Sequence, residues 1–167
     1  MSKLGRSGVI GLRRRVLAGV LLLGLGAHEA IADASIAVIV GTGPPKILFT
    51  RTNLADIFLK HILVDDNQAA LVPLNLSSTN PLRRAFSVSL FGEQPDDLQR
   101  YWTERYFHGI SPPYTVHSQE SMLRFVTSTA GAVGYVASCR VDDRVAVVML
   151  LPVPAAFKES INQLCPQ

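Results

Sequence analysis

One stretch, Thr115 to Ser138 (TVHSQESMLRFVTSTAGAVGYVAS), constrains the fold more than any other. It predicts a short strand, a turn, an amphipathic helix, a glycine turn and a buried strand. Thr115 to His117 forms the first strand, and Ser118 is placed to cap the helix by accepting a free amide of its first turn. Glu120 falls in that first turn, where a negative charge complements the helix dipole. Met122, Leu123, Phe125 and Val126 make one apolar face, so the helix packs on a sheet. Gly131 suits the left-handed conformation that ends helices. Val133 to Ala137 is apolar on both faces, which fits a strand covered on both sides.

The N-terminus has a different character. Lys3, Arg6, Arg13, Arg14 and Arg15 precede an apolar run from Val16 to Ala27, and Ala30-Ile31-Ala32 supplies small residues before Asp33. This pattern predicts a secretory signal peptide over residues 1–32, its apolar run too short to span a bilayer. Five of the sixteen Lys and Arg lie there, with only Glu29 of the thirteen acidic residues. The remainder then carries eleven basic against twelve acidic side chains, a net charge of −1. No basic stripe is left, which excludes a nucleic-acid partner. About 135 residues suffice for one domain with a core. Cys139 and Cys165 are the only cysteines; in an oxidising compartment they can pair, or remain separate thiols.

Along the chain, Ser35 to Val40 (SIAVIV) reads as a buried strand ended by Gly41-Thr42-Gly43-Pro44-Pro45, which lacks the spacing of a phosphate loop. Asn53 to His61 reads as a helix capped by Asn53, and Asp65-Asp66-Asn67 as a solvated turn without a calcium-loop pattern. Ala70 to Leu76 is the second strand. Ser77-Ser78-Thr79 then leads to Asn80 as N-cap and Pro81 as first helical residue. Arg83 and Arg84 follow in the first turn. Hydroxyls, free helix amides, the positive end of the dipole and two guanidinium groups make this the chain's best candidate anion site. The alternative is a capped helix with ordinary surface arginines. Asp97 to Phe107 places Leu98, Tyr101, Trp102 and Tyr106 at helical spacing, the pattern of a helix laid on a core. Val145 to Leu151 reads as a further buried strand, and Ala155 to Leu164 as a short helix.

Several chemistries are absent. His61, His108 and His117 have no metal-ligand spacing, no serine sits in a nucleophile elbow, and the acidic pairs lie on turns. Neither an enzyme nor a cofactor is expected.

Phe125-Val126 followed by Thr129-Ala130-Gly131-Ala132-Val133-Gly134-Tyr135-Val136 resembles the "V…pGAIGYV" segment of phosphate-type periplasmic solute-binding proteins. In order before it, SIAVIV, LADIFLKHI, LVPLNL, PLRRAFSVSLF and YWTERYFHGISPP also resemble segments of that family's second lobe, covering about Ser35 to Val148. The resemblance implies an α/β fold: one three-layer lobe over residues 33–151, a mostly parallel central sheet with helices on both faces, and a tail over 152–167. It implies a periplasmic protein that binds phosphate or a similar small oxyanion in connection with ABC-type uptake, and so a membrane transporter as partner. The ligand would meet Ser77, Ser78, Thr79, Arg83 and Arg84, with Ser118 at the other helix start adding a donor. One departure stands out. The family carries an Arg and a Ser-Gly-Thr turn before this helix, whereas Leu74 to Leu82 here has neither that glycine nor that arginine in place. The departure motivates an alternative: an interaction module that kept the lobe, lost the ligand, and uses an exposed apolar patch for a partner or a homodimer.

Overall fold

The computed structural model describes residues 35–165, so the predicted leader lies outside the described residues. The elements in chain order are β1 (Ser35–Val40), α1 (Arg51–Phe58), β2 (Val72–Leu76), α2 (Pro81–Phe91), α3 (Gln99–Phe107), β3 (Tyr114–Val116), α4 (Gln119–Ser128), β4 (Ala132–Ala137), β5 (Ala146–Pro152) and α5 (Lys158–Asn162). The five strands form one sheet in the order β3-β2-β4-β1-β5. β2 is parallel to both β3 and β4, while β1 pairs antiparallel with β4 and β5. Four strands therefore share a direction and β1 alone runs against them. The chain is an α/β lobe with a mixed sheet.

β4 shows how the layers are built, because all six of its residues are buried. Successive side chains on a strand point to opposite faces. Tyr135 stacks its ring on Phe86 of α2, centroids 3.8 Å apart and planes within 4°, and lies 6.0 Å from Phe58 of α1. Gly134, the preceding residue, faces α4. A Cβ there would lie 2.5 Å from Met122 Sδ and 3.0 Å from Val126 Cγ2, so glycine lets α4 sit against the strand. Helices α1 and α2 thus cover one face and α4 the other. α5 packs on α2 and seals that side with the fully buried Ile161. Its tail is tied down by a disulfide between Cys139 and Cys165, Cα atoms 5.7 Å apart, so the two cysteines are paired.

Four expectations need correction. α1 starts earlier than Asn53, because the Thr50 hydroxyl accepts the Asn53 amide (3.1 Å) and caps it; Asn53 instead donates its side-chain amide to Leu48 O. α3 buries none of its residues: Tyr106 is 67% and Phe107 82% exposed. Polar tips tether this helix instead, the Tyr101 hydroxyl donating to Leu59 O and Arg105 Nη2 to Lys60 O. β5 is not a buried strand but the sheet edge, with most of its residues exposed or half-buried. An apolar run cannot say which strand ends outermost. Asp65 is buried and accepts the amides of Lys46, Asn67 and Ala69, each at 2.9 Å, so it organises its loop. Those amides hold its carboxyl below the usual range.

Two outcomes follow from these contacts. Gly131 has φ +72°, and a Cβ on it would lie 2.0 Å from Ala70 O, so Gly131→Ala should cost about 3 kcal/mol in urea unfolding. The disulfide spans a sequence separation of 26. Its reduction, or Cys139→Ser with Cys165→Ser, should cost about 3.5 kcal/mol in the chain-entropy model. An unchanged urea midpoint in either variant would contradict the packing described.

Candidate functional site

β2 and β3 lie parallel and in register, Leu76 opposite Val116, and each runs from its C-terminal end into a helix start. Loops at the carboxyl ends of parallel strands are where open α/β sheets bind ligands. The Ser77–Asn80 turn leads into α2, and His117-Ser118 leads into α4.

At the start of α2 most backbone donors are used internally. Asn80 Oδ1 accepts the Leu82 amide at 2.9 Å, Asn80 O accepts that of Arg84 at 3.1 Å, and Pro81 has none to offer. The Arg83 amide between them makes no hydrogen bond among the described residues. Ser77, Ser78 and Thr79 are exposed, and the Ser77 and Thr79 hydroxyls lie 3.1 Å apart, bonded to each other.

Arg83 is the unusual side chain. It is only 6% exposed, its Nη1 is buried without a hydrogen-bond partner, and no carboxylate pairs with it among the described residues. Burial pushes the pKa of its guanidinium down, and the Tyr135 hydroxyl beside it pulls part of the way back. An arginine nevertheless remains protonated in proteins, so this is an interior positive charge without its counter-charge. Tyr135 is itself fully buried, and burial pushes its hydroxyl up to about 12 against the pull of the Arg83 charge. That hydroxyl accepts the Leu76 amide at 3.2 Å and donates to Asn75 Oδ1 at 3.3 Å. β2 and β4 pair only at Val72–Ala132 and Pro73–Val133. Past that point the Tyr135 side chain takes up the amide that no strand partner receives.

The six residues named from the sequence do not converge on one point. Ser77, Ser78, Thr79 and Arg83 share the start of α2. Arg84 is exposed and donates its Nε to Gln94 at 3.1 Å, beyond the far end of that helix. Ser118 caps α4 on the opposite face, accepting the Ser121 amide at 3.0 Å. It lines a separate hollow with Glu120, Cys139, Arg140, Asp142 and Arg144. Asn75 and Tyr135 escaped sequence reasoning as site residues. The available signal was a lone amide in the otherwise apolar strand Val72–Leu76. Among the described residues no group of three or more His, Cys, Asp or Glu could hold a metal ion.

The Ser118 hollow is built on ion pairs. Arg144 Nη1 and Nη2 donate to the two Glu120 carboxylate oxygens at 3.0 Å, and Nη2 also meets Asp142 Oδ2 at 2.6 Å. Hydrogen bonds from Arg144, then from Arg124, hold Glu120 at about 2, below its ordinary 4.5. A carboxyl whose pKa is lowered by folding adds stability above its unfolded value and loses it as the pH falls towards the folded one. Urea midpoints should therefore drop between about pH 4.5 and about pH 2. Glu120→Gln should lower the midpoint at pH 7 and coincide with wild type at pH 2; an equal gap at both would refute this coupling.

No protein-family model matches the chain, and no curated protein matches it in sequence. Its fold does match solved structures. One is a protein named as a phosphate ABC transporter substrate-binding protein, with bound phosphate, from Clostridium perfringens (20% identity, TM-score 0.56, covering 70% of this chain and 45% of that one). Another is an ABC-type phosphate transport receptor from Vibrio cholerae (18%, TM-score 0.54, 70% and 47%). A third is PstS from Borrelia burgdorferi (15%, TM-score 0.51, 74% and 49%). This chain spans less than half the length of each. The lobe fold anticipated from the sequence is the one these structures share.

Proposed function

We propose that this chain, with the fold of one lobe of phosphate-transport substrate-binding proteins, is an exported, periplasmic binding protein for phosphate or a similar oxyanion. It would serve ABC-type uptake without catalysing a reaction. The ligand sits at the start of α2. One observation carries the reading: Arg83, a buried guanidinium with no carboxylate partner, lies in the first turn of a helix behind an exposed serine-rich turn. A buried cation left unpaired costs several kcal/mol, and a bound anion offsets that cost. The Arg83 amide and the positive end of α2 point the same way in charge, and the hydroxyls of Ser77, Ser78 and Thr79 supply further donors. On binding, the anion replaces the weak bond between the Ser77 and Thr79 hydroxyls.

Those hydroxyls stand in water, so the dissociation constant should be about 10 micromolar or weaker. Calorimetric titration with phosphate and with sulfate tests this directly; absence of heat at millimolar anion would refute it. Arg83→Met offers a sharper check. Replacing an uncompensated buried charge by an apolar side chain of similar length should leave the phosphate-free melting temperature no lower than wild type. The rise in melting temperature with added phosphate should disappear. A variant that loses stability and keeps that rise would exclude Arg83 as the anion's partner.

A second reading, an interaction module for a protein partner or a second copy, draws on α3. Its exposed Tyr106 and Phe107 are large apolar side chains that the lobe leaves uncovered. Sedimentation of wild type beside Phe107→Ser distinguishes it, since a monomer at high concentration would count against a self-dimer.

A further inference from the structure

Three buried polar groups follow one another behind the start of α2, Arg83 beside Tyr135 and Tyr135 bonded to Asn75, and only one of them is charged. Tyr135 projects from β4 with its ring stacked on Phe86 of the same helix that carries Arg83. Its hydroxyl has two partners on the β2 side, the Leu76 amide at 3.2 Å as donor and Asn75 Oδ1 at 3.3 Å as acceptor, and Arg83 on the other. Asn75 is 7% exposed, in a strand whose other described neighbours are apolar. Leu76, held by the hydroxyl, is the last strand residue before the Ser77–Asn80 turn. One hydroxyl therefore fixes both the end of β2 and the surroundings of the Arg83 guanidinium.

Chemistry at this spot had an alternative. An aspartate is the same size as asparagine, and a carboxylate at position 75 would touch the hydroxyl that adjoins Arg83. It would set a negative charge one hydroxyl away from the buried cation. Interior charges are ordinarily paired. Here the group beside the guanidinium, Tyr135, and the Asn75 amide behind it are both neutral, and Tyr135 keeps its proton because burial opposes its ionisation. The arrangement holds the cation in place and leaves its charge unspent.

We infer that Asn75 and Tyr135 form a neutral cradle that positions Arg83 for an anion and, by carrying no negative charge, keeps that charge available to the ligand. The inference rests on the anion reading above. Tyr135 and Asn75 are positioning residues: they act through Arg83 and through the path of the Ser77–Asn80 turn.

The test compares phosphate dissociation constants and phosphate-free melting temperatures of the full chain and three variants. Tyr135→Phe keeps the ring stack, removes the hydroxyl, and should weaken phosphate about tenfold. Asn75→Leu removes one neutral hydrogen bond and should weaken it about threefold. Asn75→Asp brings in the missing carboxylate and should weaken it at least about thirtyfold. Because that carboxylate offsets the Arg83 charge across the shared Tyr135 hydroxyl, Asn75→Asp should melt no lower than Asn75→Leu. A merely structural role would let the leucine and aspartate variants bind alike, and that result overturns the inference. So does a Tyr135→Phe protein within twofold of wild type. Should Tyr135→Phe fail to fold, the contrast between the two Asn75 variants decides alone. Wild type that gives no heat with phosphate or sulfate overturns the anion reading and this inference together, whereas tight wild-type binding with indifferent variants overturns only this one.

Discussion

The Tyr135 side chain is the contact on which the rest of the lobe depends. Its ring is the apolar centre of one face, stacked on Phe86 and tilted against Phe58, so α1 and α2 both rest on it. Its hydroxyl does a separate task in a place where the sheet opens. β2 and β4 stop pairing after two residues, and an interior amide left without a partner would cost about 1–3 kcal/mol. The hydroxyl accepts the Leu76 amide and donates a hydrogen bond to Asn75 Oδ1. A single residue thus joins the packing of two helices to the geometry of the turn at the end of β2.

On the other face the complementary device is an absence of side chain. Gly134 clears space for Met122 and Val126, and α4 closes down on β4. With the sheet covered on both sides, the carboxyl ends of β2 and β3 become the places where chain and solvent meet in register. Two helix starts emerge there, and they differ electrostatically. That of α4 is neutral in effect, because Arg144 and Arg124 are matched by Glu120 and Asp142. That of α2 has a buried guanidinium that no acid pairs with among the described residues.

Much of the fold was legible in the residues. SIAVIV, the Asn80-Pro81 helix start, the Ser118 cap, the αL glycine at 131 and the doubly buried β4 are local signals, each with a local cause, and each appears where it was read. The misreadings share a different cause. Aromatic spacing in α3 looked like a core face, yet the helix stands off the core and is held by Tyr101 and Arg105. The β5 run looked buried, yet it forms an edge. Asp65 looked solvated, yet three amides wrap it. In each case the residue type was compatible with two environments, and the neighbours that choose between them come from distant parts of the chain. The candidate site divides the same way: hydroxyls and arginines could be placed at a helix start, but not which arginine turns inward.

The sequence by itself determined the elements and the α/β character, because capping, periodicity and glycine conformation act within a few residues of each other. Only the tertiary structure decided that β1 runs against its neighbours, that Ser118 and Arg84 stand apart from the α2 turn, and that Arg83 lies buried beside Tyr135. Those facts depend on contacts between residues far apart in the chain, 52 positions in the last case. No local rule of backbone geometry or hydrophobic pattern specifies such a meeting; it follows from how the layers pack.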